Sequence, residues 1–101
     1  MDRRQYLLSK LAEEASEISQ ISLKCQQFGM DDRYPDKDSN KNSTKLGNEL
    51  TDLWGIVAML VDEGHLGFLL EEEKIIKKVQ KVNRYYDYAL KRGQIQEREN
   101  V

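Results

Sequence analysis

The sequence contains few residues that would bend or cross-link a chain. Its 101 residues include one proline, six glycines and one cysteine. So little proline and glycine argues against a sandwich or barrel with many turns, and a single cysteine excludes an internal disulfide and fits a reducing compartment. The sequence also shows no signal peptide and no apolar run long enough to span a membrane, so the expected location is the cytoplasm, with no membrane partner.

An excess of charge of one sign is also missing. Sixteen basic and 18 acidic residues leave a formal net charge of −2. Because no global basic field exists, the sequence predicts no nucleic-acid partner. Charged residues nevertheless make up 34% of the chain and hydrophobic residues 39%. That balance is typical of long amphipathic helices, and the length predicts one domain with a modest core.

Apolar residues recur with helical period along three segments, and no strand-like alternation is present. The predicted helices cover about residues 3–28, 43–63 and, from a start between 68 and 72, up to 91. Ser43 or Thr44 is the expected cap of the second helix. The expected fold is therefore all-α, a bundle of three long helices per chain that oligomerisation completes.

The remaining segments are polar. Residues 29–42 contain almost nothing apolar and are predicted to form a long mobile loop, while residues 94–101 form a polar C-terminal tail. The domain prediction is accordingly a single all-α domain over residues 1–93, followed by the tail.

Two acid pairs mark the first two predicted helices. Glu14 and Glu17 stand three residues apart in the first, and Glu49 and Asp52 do so in the second, so each pair projects from one helix face. The surrounding sequence, residues 10–21, repeats without a gap at an offset of 35 positions. Glu14 and Glu49 lie at the centres of the apolar stripes, where a surface charge is not expected. Two such helices packed side by side would bring four carboxylates together.

Four uncompensated carboxylates in one apolar seam would repel one another and raise their pKa values. A hard divalent cation removes this repulsion, and all-oxygen ligation suits Mg²⁺ or Mn²⁺. Zinc is disfavoured because its preferred ligands, Cys25 and His65, each stand alone in the sequence. A di-iron centre is disfavoured because neither acid pair has the Glu-x-x-His pattern. A single buried glutamate can also form a core ion pair or fix helix register. Because a buried glutamate occurs in both copies of the repeat, a metal site is favoured over these two alternatives.

Lysines accompany the acids. Lys24 lies two turns beyond Glu17 on the same edge of the helix, and the third helix carries Lys78, Lys81 and Tyr85 along one edge. Mg²⁺ held by carboxylates usually meets substrate phosphates, which these lysines could contact. The pattern favours phosphate contact for Lys78; for Lys24 and Lys81 a solvated surface role stays equally open. No glycine-rich P-loop or Rossmann motif is present.

The acid pairs resemble the Glu-x-x-Glu … Glu-x-x-Asp signature of the all-α nucleoside triphosphate pyrophosphohydrolases, the MazG-like superfamily. In detail the chain is similar to the short single-domain versions common in bacteriophage genomes. The resemblance covers roughly residues 5 to 92. Its matching features are residues 11–17, Lys24 before Phe28-Gly29, residues 48–52, and the late lysines Lys78 and Lys81.

The resemblance implies a set of roles for these residues. Glu14, Glu17, Glu49 and Asp52 would bind Mg²⁺, with Mn²⁺ as the alternative ion. The water that attacks the substrate phosphate would give its proton to Glu17 or Glu13. The substrate would be contacted by Lys24, Lys78, Lys81 and Tyr85.

The implied reaction cleaves a nucleoside triphosphate, expected to be a deoxynucleotide, between its α- and β-phosphates to give monophosphate and pyrophosphate. The implied assembly is a homodimer or homotetramer, in the host cytoplasm if the chain is phage-encoded. A second hypothesis stays open: a non-catalytic helical module whose acids bind one structural cation or a partner's basic residues.

Overall fold

The computed structural model describes residues 1–67 and 70–96. These residues form no strand and three α-helices, α1 (Arg3–Phe28), α2 (Asn42–Asp62) and α3 (Glu72–Lys91). The all-α class and the three helices are thereby confirmed. Within the same residues, no helix combines the length and apolar content needed to cross a membrane. The chain divides into two compact units, Met1–Gly67 and Phe68–Val101.

Helix α1 begins at a capping box and ends at a glycine. The Gln5 N–H donates to Asp2 Oδ1, and the Asp2 N–H donates to Gln5 Oε1, each at 2.8 Å, so both backbone donors are satisfied. At the other end, the Gly29 N–H donates to Cys25 O at 2.9 Å. Gly29 has φ +103°, a conformation that glycine adopts without steric cost, and the helix therefore stops there.

Helix α2 begins at Asn42, and the prediction that Ser43 or Thr44 caps it is wrong. Lys41 occupies the N-cap position and makes no side-chain capping bond. The loop supplies acceptors instead, because the backbone N–H of Asn42 donates to Asp32 O and that of Ser43 to Met30 O, each at 2.9 Å. Two free N–H groups of the first turn are therefore satisfied by backbone carbonyls of the loop rather than by a capping hydroxyl.

The loop before α2, residues 29–41, is built from hydrogen-bonded turns. Ser39 Oγ lies 2.6 Å from Asp36 O and 3.0 Å from Arg33 O. Arg33 Nη1 in turn donates to Ser39 O at 2.7 Å. These bonds tie the two halves of the loop together. The mobility expected of this segment stays a prediction.

Helices α1 and α2 pack against each other as an antiparallel hairpin. At the end of the hairpin opposite the loop, Arg3 is the first residue of α1 and Glu63 directly follows α2. Arg3 donates to the Glu63 carboxylate from Nε at 3.0 Å and from Nη2 at 2.9 Å. At the loop end, Asn42 Nδ2 donates to Gly29 O at 3.1 Å. The side chain of Asn42 is buried, with 1% exposed. Both ends of the hairpin are thus closed by hydrogen bonds.

The contact between the two helices is a seam in which residues alternate at spacings of four and three. Every member of the seam is buried or half-buried: Leu7, Leu11, Glu14, Ile18, Ile21 and Cys25 on α1, and Asn42, Leu46, Glu49, Leu53, Ile56 and Leu60 on α2. This spacing is that of a coiled-coil interface. The two series are the repeat seen in the sequence, with a glutamate at the third position of each.

Helix α3 forms most of the described part of the second unit. Glu72 and Glu73 in its first turn and Lys91 in its last complement the helix dipole. Its apolar stripe also follows spacings of four and three, through Ile75, Val79, Val82 and Tyr86. No residue of α3 is buried, and these four side chains are exposed.

Candidate metal centre

Three of the four predicted metal ligands meet in the middle of the hairpin. Glu14 and Glu17 come from α1 and Glu49 from α2, and one carboxylate oxygen of each lies within 4.8 Å of the other two. Glu14 and Glu49 hold the same position in the two copies of the repeat. Because antiparallel pairing places the middles of two helices opposite each other, the repeat itself brings these acids together. We call Glu14, Glu17 and Glu49 the carboxylate cluster.

Two oxygens of the carboxylate cluster are buried without compensation. Glu14 Oε2 and Glu49 Oε2 are shielded from solvent and have no hydrogen-bond partner among the described residues. A buried carboxylate oxygen without a partner raises the free energy of the folded state. The cluster therefore offers acceptor atoms that the rest of the hairpin does not satisfy.

The proximity of the three acids shifts the titration of Glu49. Its pKa is raised from 4.5 to about 7, chiefly because the protonated carboxyl of Glu49 can donate a hydrogen bond to Glu17, and then by desolvation. The same possibility toward Glu14 and the charges of both neighbours raise the pKa further. Without a cation, the cluster thus keeps a proton close to neutral pH, and a bound cation would have to displace it.

The ligand set fits a hard divalent cation. All three side chains offer oxygen only, which is the ligand type that Mg²⁺ and Mn²⁺ prefer. The two buried oxygens without partners are the atoms that a cation would satisfy. The cluster also leaves room for water and phosphate oxygens to complete the coordination, because Glu17 is exposed.

Two predicted site residues lie outside the cluster. Asp52 is exposed on α2, one turn beyond Glu49, and does not belong to the group of oxygens within 4.8 Å. Glu13 is exposed too, and its carboxylate accepts a hydrogen bond from Lys10 Nζ at 3.1 Å. Both sit beside the seam rather than in it. Metal ligation by Asp52 and proton transfer by Glu13 stay predictions.

An open pocket of about 200 Å³ adjoins the carboxylate cluster. Its lining residues are Glu17, Gln20, Ile21, Lys24, Lys45 and Glu49. A single water requires roughly 15 Å³ by this measure, so the pocket accommodates a small anion with its waters. Lys24 is therefore placed beside two members of the cluster, as its spacing from Glu17 predicts.

Sequence reasoning missed two residues of this pocket, Gln20 and Lys45. Their spacing from the acids of the cluster predicts both residues. Gln20 follows Glu17 by three residues, and Lys45 precedes Glu49 by four, so each shares a helix face with an acid of the cluster.

The three remaining candidates lie on α3. Lys78, Lys81 and Tyr85 are all exposed there, in the second unit. Their contact with a substrate stays a prediction.

A scan against protein-family models and searches of curated proteins and of solved structures found no match to this chain. Its resemblance to the MazG-like superfamily therefore stays an expectation, carried by the acid pairs and the lysines. The function has to be inferred from the residues of the chain itself.

Proposed function

We propose that the hairpin carries a Mg²⁺-dependent nucleoside triphosphate pyrophosphohydrolase centre, which cleaves between the α- and β-phosphates to give monophosphate and pyrophosphate. The observation that carries this proposal is the convergence of Glu14, Glu17 and Glu49 within 4.8 Å at the middle of the hairpin. The two buried oxygens without partners support a cation there. The adjoining pocket, which contains two lysines, supports an anionic substrate beside that cation.

The residues of the cluster take different parts in this reaction. Glu14 and Glu49, half-buried in the seam, would hold the cation together with Glu17, and Asp52 is a further candidate ligand. When bound, Mg²⁺ neutralises and polarises the phosphate oxygens. Glu17 is the exposed acid that also lines the pocket, so it can accept the proton of the attacking water; Glu13 is the alternative base.

The lysines would stabilise negative charge on the substrate. Lys24 lines the pocket and can neutralise the departing pyrophosphate as a point charge. The exposed side chains of Lys78, Lys81 and Tyr85 on α3 complete the proposed set of substrate contacts. A deoxynucleotide in the cytoplasm is the proposed substrate.

The proposal includes self-association into a homodimer or homotetramer. In the described part of the chain, only three apolar side chains are buried, those of Leu7, Ile21 and Leu60. The apolar stripe of α3 is exposed. A second copy of the chain would bring an equivalent stripe of the same length and spacing, which is what coiled-coil packing requires.

A non-catalytic cation-binding module is the second candidate, and the position of Asp52 favours it. This predicted fourth ligand lies outside the cluster, and three carboxylates suffice to hold one structural cation. Such a module would bind Mg²⁺ and release no pyrophosphate from any nucleotide.

The test incubates the purified chain with Mg²⁺ and a panel of canonical and modified nucleoside triphosphates, and measures pyrophosphate and monophosphate. Glu14→Gln and Glu49→Gln are expected to lower turnover by about 100-fold or more, since each removes a cation ligand, while circular dichroism shows intact helices. Asp62→Asn is the control, because it removes an exposed carboxylate of α2 outside the cluster.

Full activity in both glutamine variants would contradict the metal-site assignment. Mg²⁺ binding by the wild-type chain without pyrophosphate release from any nucleotide would favour the non-catalytic module.

A further inference from the structure

We propose that Lys45 is a phosphate-binding residue, and that a polyphosphate anion lies along the hairpin from the carboxylate cluster toward the loop, between Lys45 and Lys24. This inference rests on the proposed function, because it names the residue that orients the anion in the same site. One side of the cluster is open to anions, and an ion pair closes the other.

The pocket beside the cluster contains both acids and lysines. Two lysines, one from each helix, line it together with two acids of the cluster and the amide of Gln20. A pocket that holds acids on one side and lysines on the other is suited to an anion that reaches a cation. Phosphate chains are such anions, since their oxygens bind a hard divalent cation and lysine ammonium groups alike.

Lys45 has a counterpart in the first copy of the repeat, Lys10. Each lysine precedes a cluster glutamate by four residues. Lys10 is already neutralised, because its Nζ lies 3.1 Å from Glu13 Oε2 and 5.4 Å from the centre of the Tyr6 ring. At the position equivalent to Glu13, the second copy of the repeat carries Asn48, which has no charge.

The charge of Lys45 is consequently not used within the hairpin. Among the described residues, neither Lys45 nor Lys24 forms an ion pair, whereas Lys10, Lys41 and Lys74 each pair with an acid. Lys45 is also half-buried, so an anion that binds it gives up less of its binding energy to screening by water.

Both lysines of the pocket lie on the side of the cluster that faces the loop. Gln20 and Lys24 follow Glu17 along α1 toward the loop, and in the antiparallel hairpin Lys45 precedes Glu49 on the same side. On the opposite side of the cluster, the ion pair of Lys10 and Glu13 occupies the equivalent place. An anion bound to the cation therefore finds two lysines without an ion pair on the side toward the loop, whereas Lys10 on the other side is already paired with Glu13.

The experiment measures binding of inorganic pyrophosphate to the full chain in Mg²⁺ by isothermal titration calorimetry, which needs no turnover. Lys45→Met is expected to weaken pyrophosphate binding by about ten-fold or more, the effect of losing one hydrogen bond to a charged group. Lys10→Met is the matched control and is expected to bind as the wild type does. Lys45→Gln, which keeps a polar side chain, provides a second variant should the first fold poorly, and Lys45→Arg is expected to restore most of the binding.

Wild-type affinity in Lys45→Met and Lys45→Gln would overturn the proposal. An equal loss in Lys10→Met would also overturn it, because the effect would then be one of overall charge. A wild-type chain that binds no pyrophosphate excludes the anion site as well. Loss of binding in the Lys45 variants, in a chain that hydrolyses no nucleotide, would support the anion site and refute only the proposed function.

Discussion

The carboxyl group of Glu49 shows how one residue can link the stability of this chain to pH. A carboxyl whose pKa rises from 4.5 in the unfolded chain to about 7 in the folded one binds more protons when folded, over the interval between these values. The free energy of unfolding of the metal-free protein should therefore decrease as pH rises from about 4.5 to 7. The loss of free energy of unfolding should be complete above about pH 7 and absent below about pH 4.5.

The first prediction follows from this linkage. Glu49→Gln cannot titrate, so in EDTA its free energy of unfolding should decline less between pH 5 and 7.5 than that of the wild type. Urea denaturation at half-unit pH steps measures the difference, and Asp62→Asn should retain the wild-type slope because it lies outside the cluster. Equal slopes in Glu49→Gln and wild type would show that Glu49 does not carry the raised pKa.

The second prediction concerns the cation. A ligand that binds only the folded chain raises its stability by about 2.7 kcal/mol when present at 100 times its dissociation constant. Millimolar Mg²⁺ or Mn²⁺ should therefore raise the melting temperature of the wild type, less at pH 5 than at pH 7.5, because protons compete for the same oxygens. Glu14→Gln should lose most of this shift. A wild-type melting curve indifferent to both ions would contradict a preformed site.

The residues of the site differ in how far the sequence predicts them. Glu14 and Glu49 are predictable because each occupies the centre of an apolar stripe, and the seam contains both. Asp52 shows the limit of that reasoning. A spacing of three puts it on the same face as Glu49, but the rotation of α2 about its axis decides which of the two meets α1. That rotation depends on packing across the hairpin, which local spacing does not contain.

At the scale of elements, the hairpin is closed at the loop end by the buried amide of Asn42. Its Nδ2 donates to Gly29 O at 3.1 Å, and this bond joins the end of α1 to the first turn of α2. Its Oδ1 is buried and has no partner among the described residues. The side chain thus fixes where the two helices begin and end relative to each other.

The third prediction tests this contact. Asn42→Ala removes the shorter of the two hydrogen bonds to the Gly29 carbonyl, which keeps only the bond from the Asp32 N–H at 3.4 Å, and this should lower the free energy of unfolding by about 1–3 kcal/mol. Thr44→Ala is the control and should change it by less than about 0.5 kcal/mol, since Thr44 does not cap the helix. Urea denaturation measures both. A larger loss for Thr44→Ala than for Asn42→Ala would restore the hydroxyl cap expected from the sequence.

The bounds of the helices could be predicted much better than the capping of α2. Periodicity and Gly29 are local signals, and they place the ends of α1 correctly. The start of α2 depends on Asp32 O and Met30 O, which reach it only because the loop folds back. A sequence pattern identifies a hydroxyl that is able to cap a helix. It does not identify a distant carbonyl that makes the cap unnecessary.

At the scale of the whole molecule, many large apolar side chains of the described residues are exposed. A chain of about 100 residues buries roughly two thirds of the surface that it exposes when unfolded, which makes a single small core marginal. The exposed stripe of α3 is one such surface. Trp54, 48% exposed, lines a second one on α2 with Leu50 and Leu53. The sequence predicts that Trp54 or Phe68 lies in the subunit contact, and Phe68 lies outside the described residues.

The fourth prediction is therefore self-association through these surfaces. Light scattering coupled to gel filtration at micromolar concentration should give at least twice the 11.8 kDa mass of one chain. Trp54→Ala and Val82→Asp should shift the equilibrium toward the monomer, because the first removes apolar contact area and the second places a charge in the stripe of α3. Tyr34→Ala, which removes an exposed aromatic side chain of the loop, should leave the mass unchanged. A wild-type mass near 11.8 kDa with the helices intact would mean that each chain covers its own apolar faces, and that no neighbouring subunit contributes to the site.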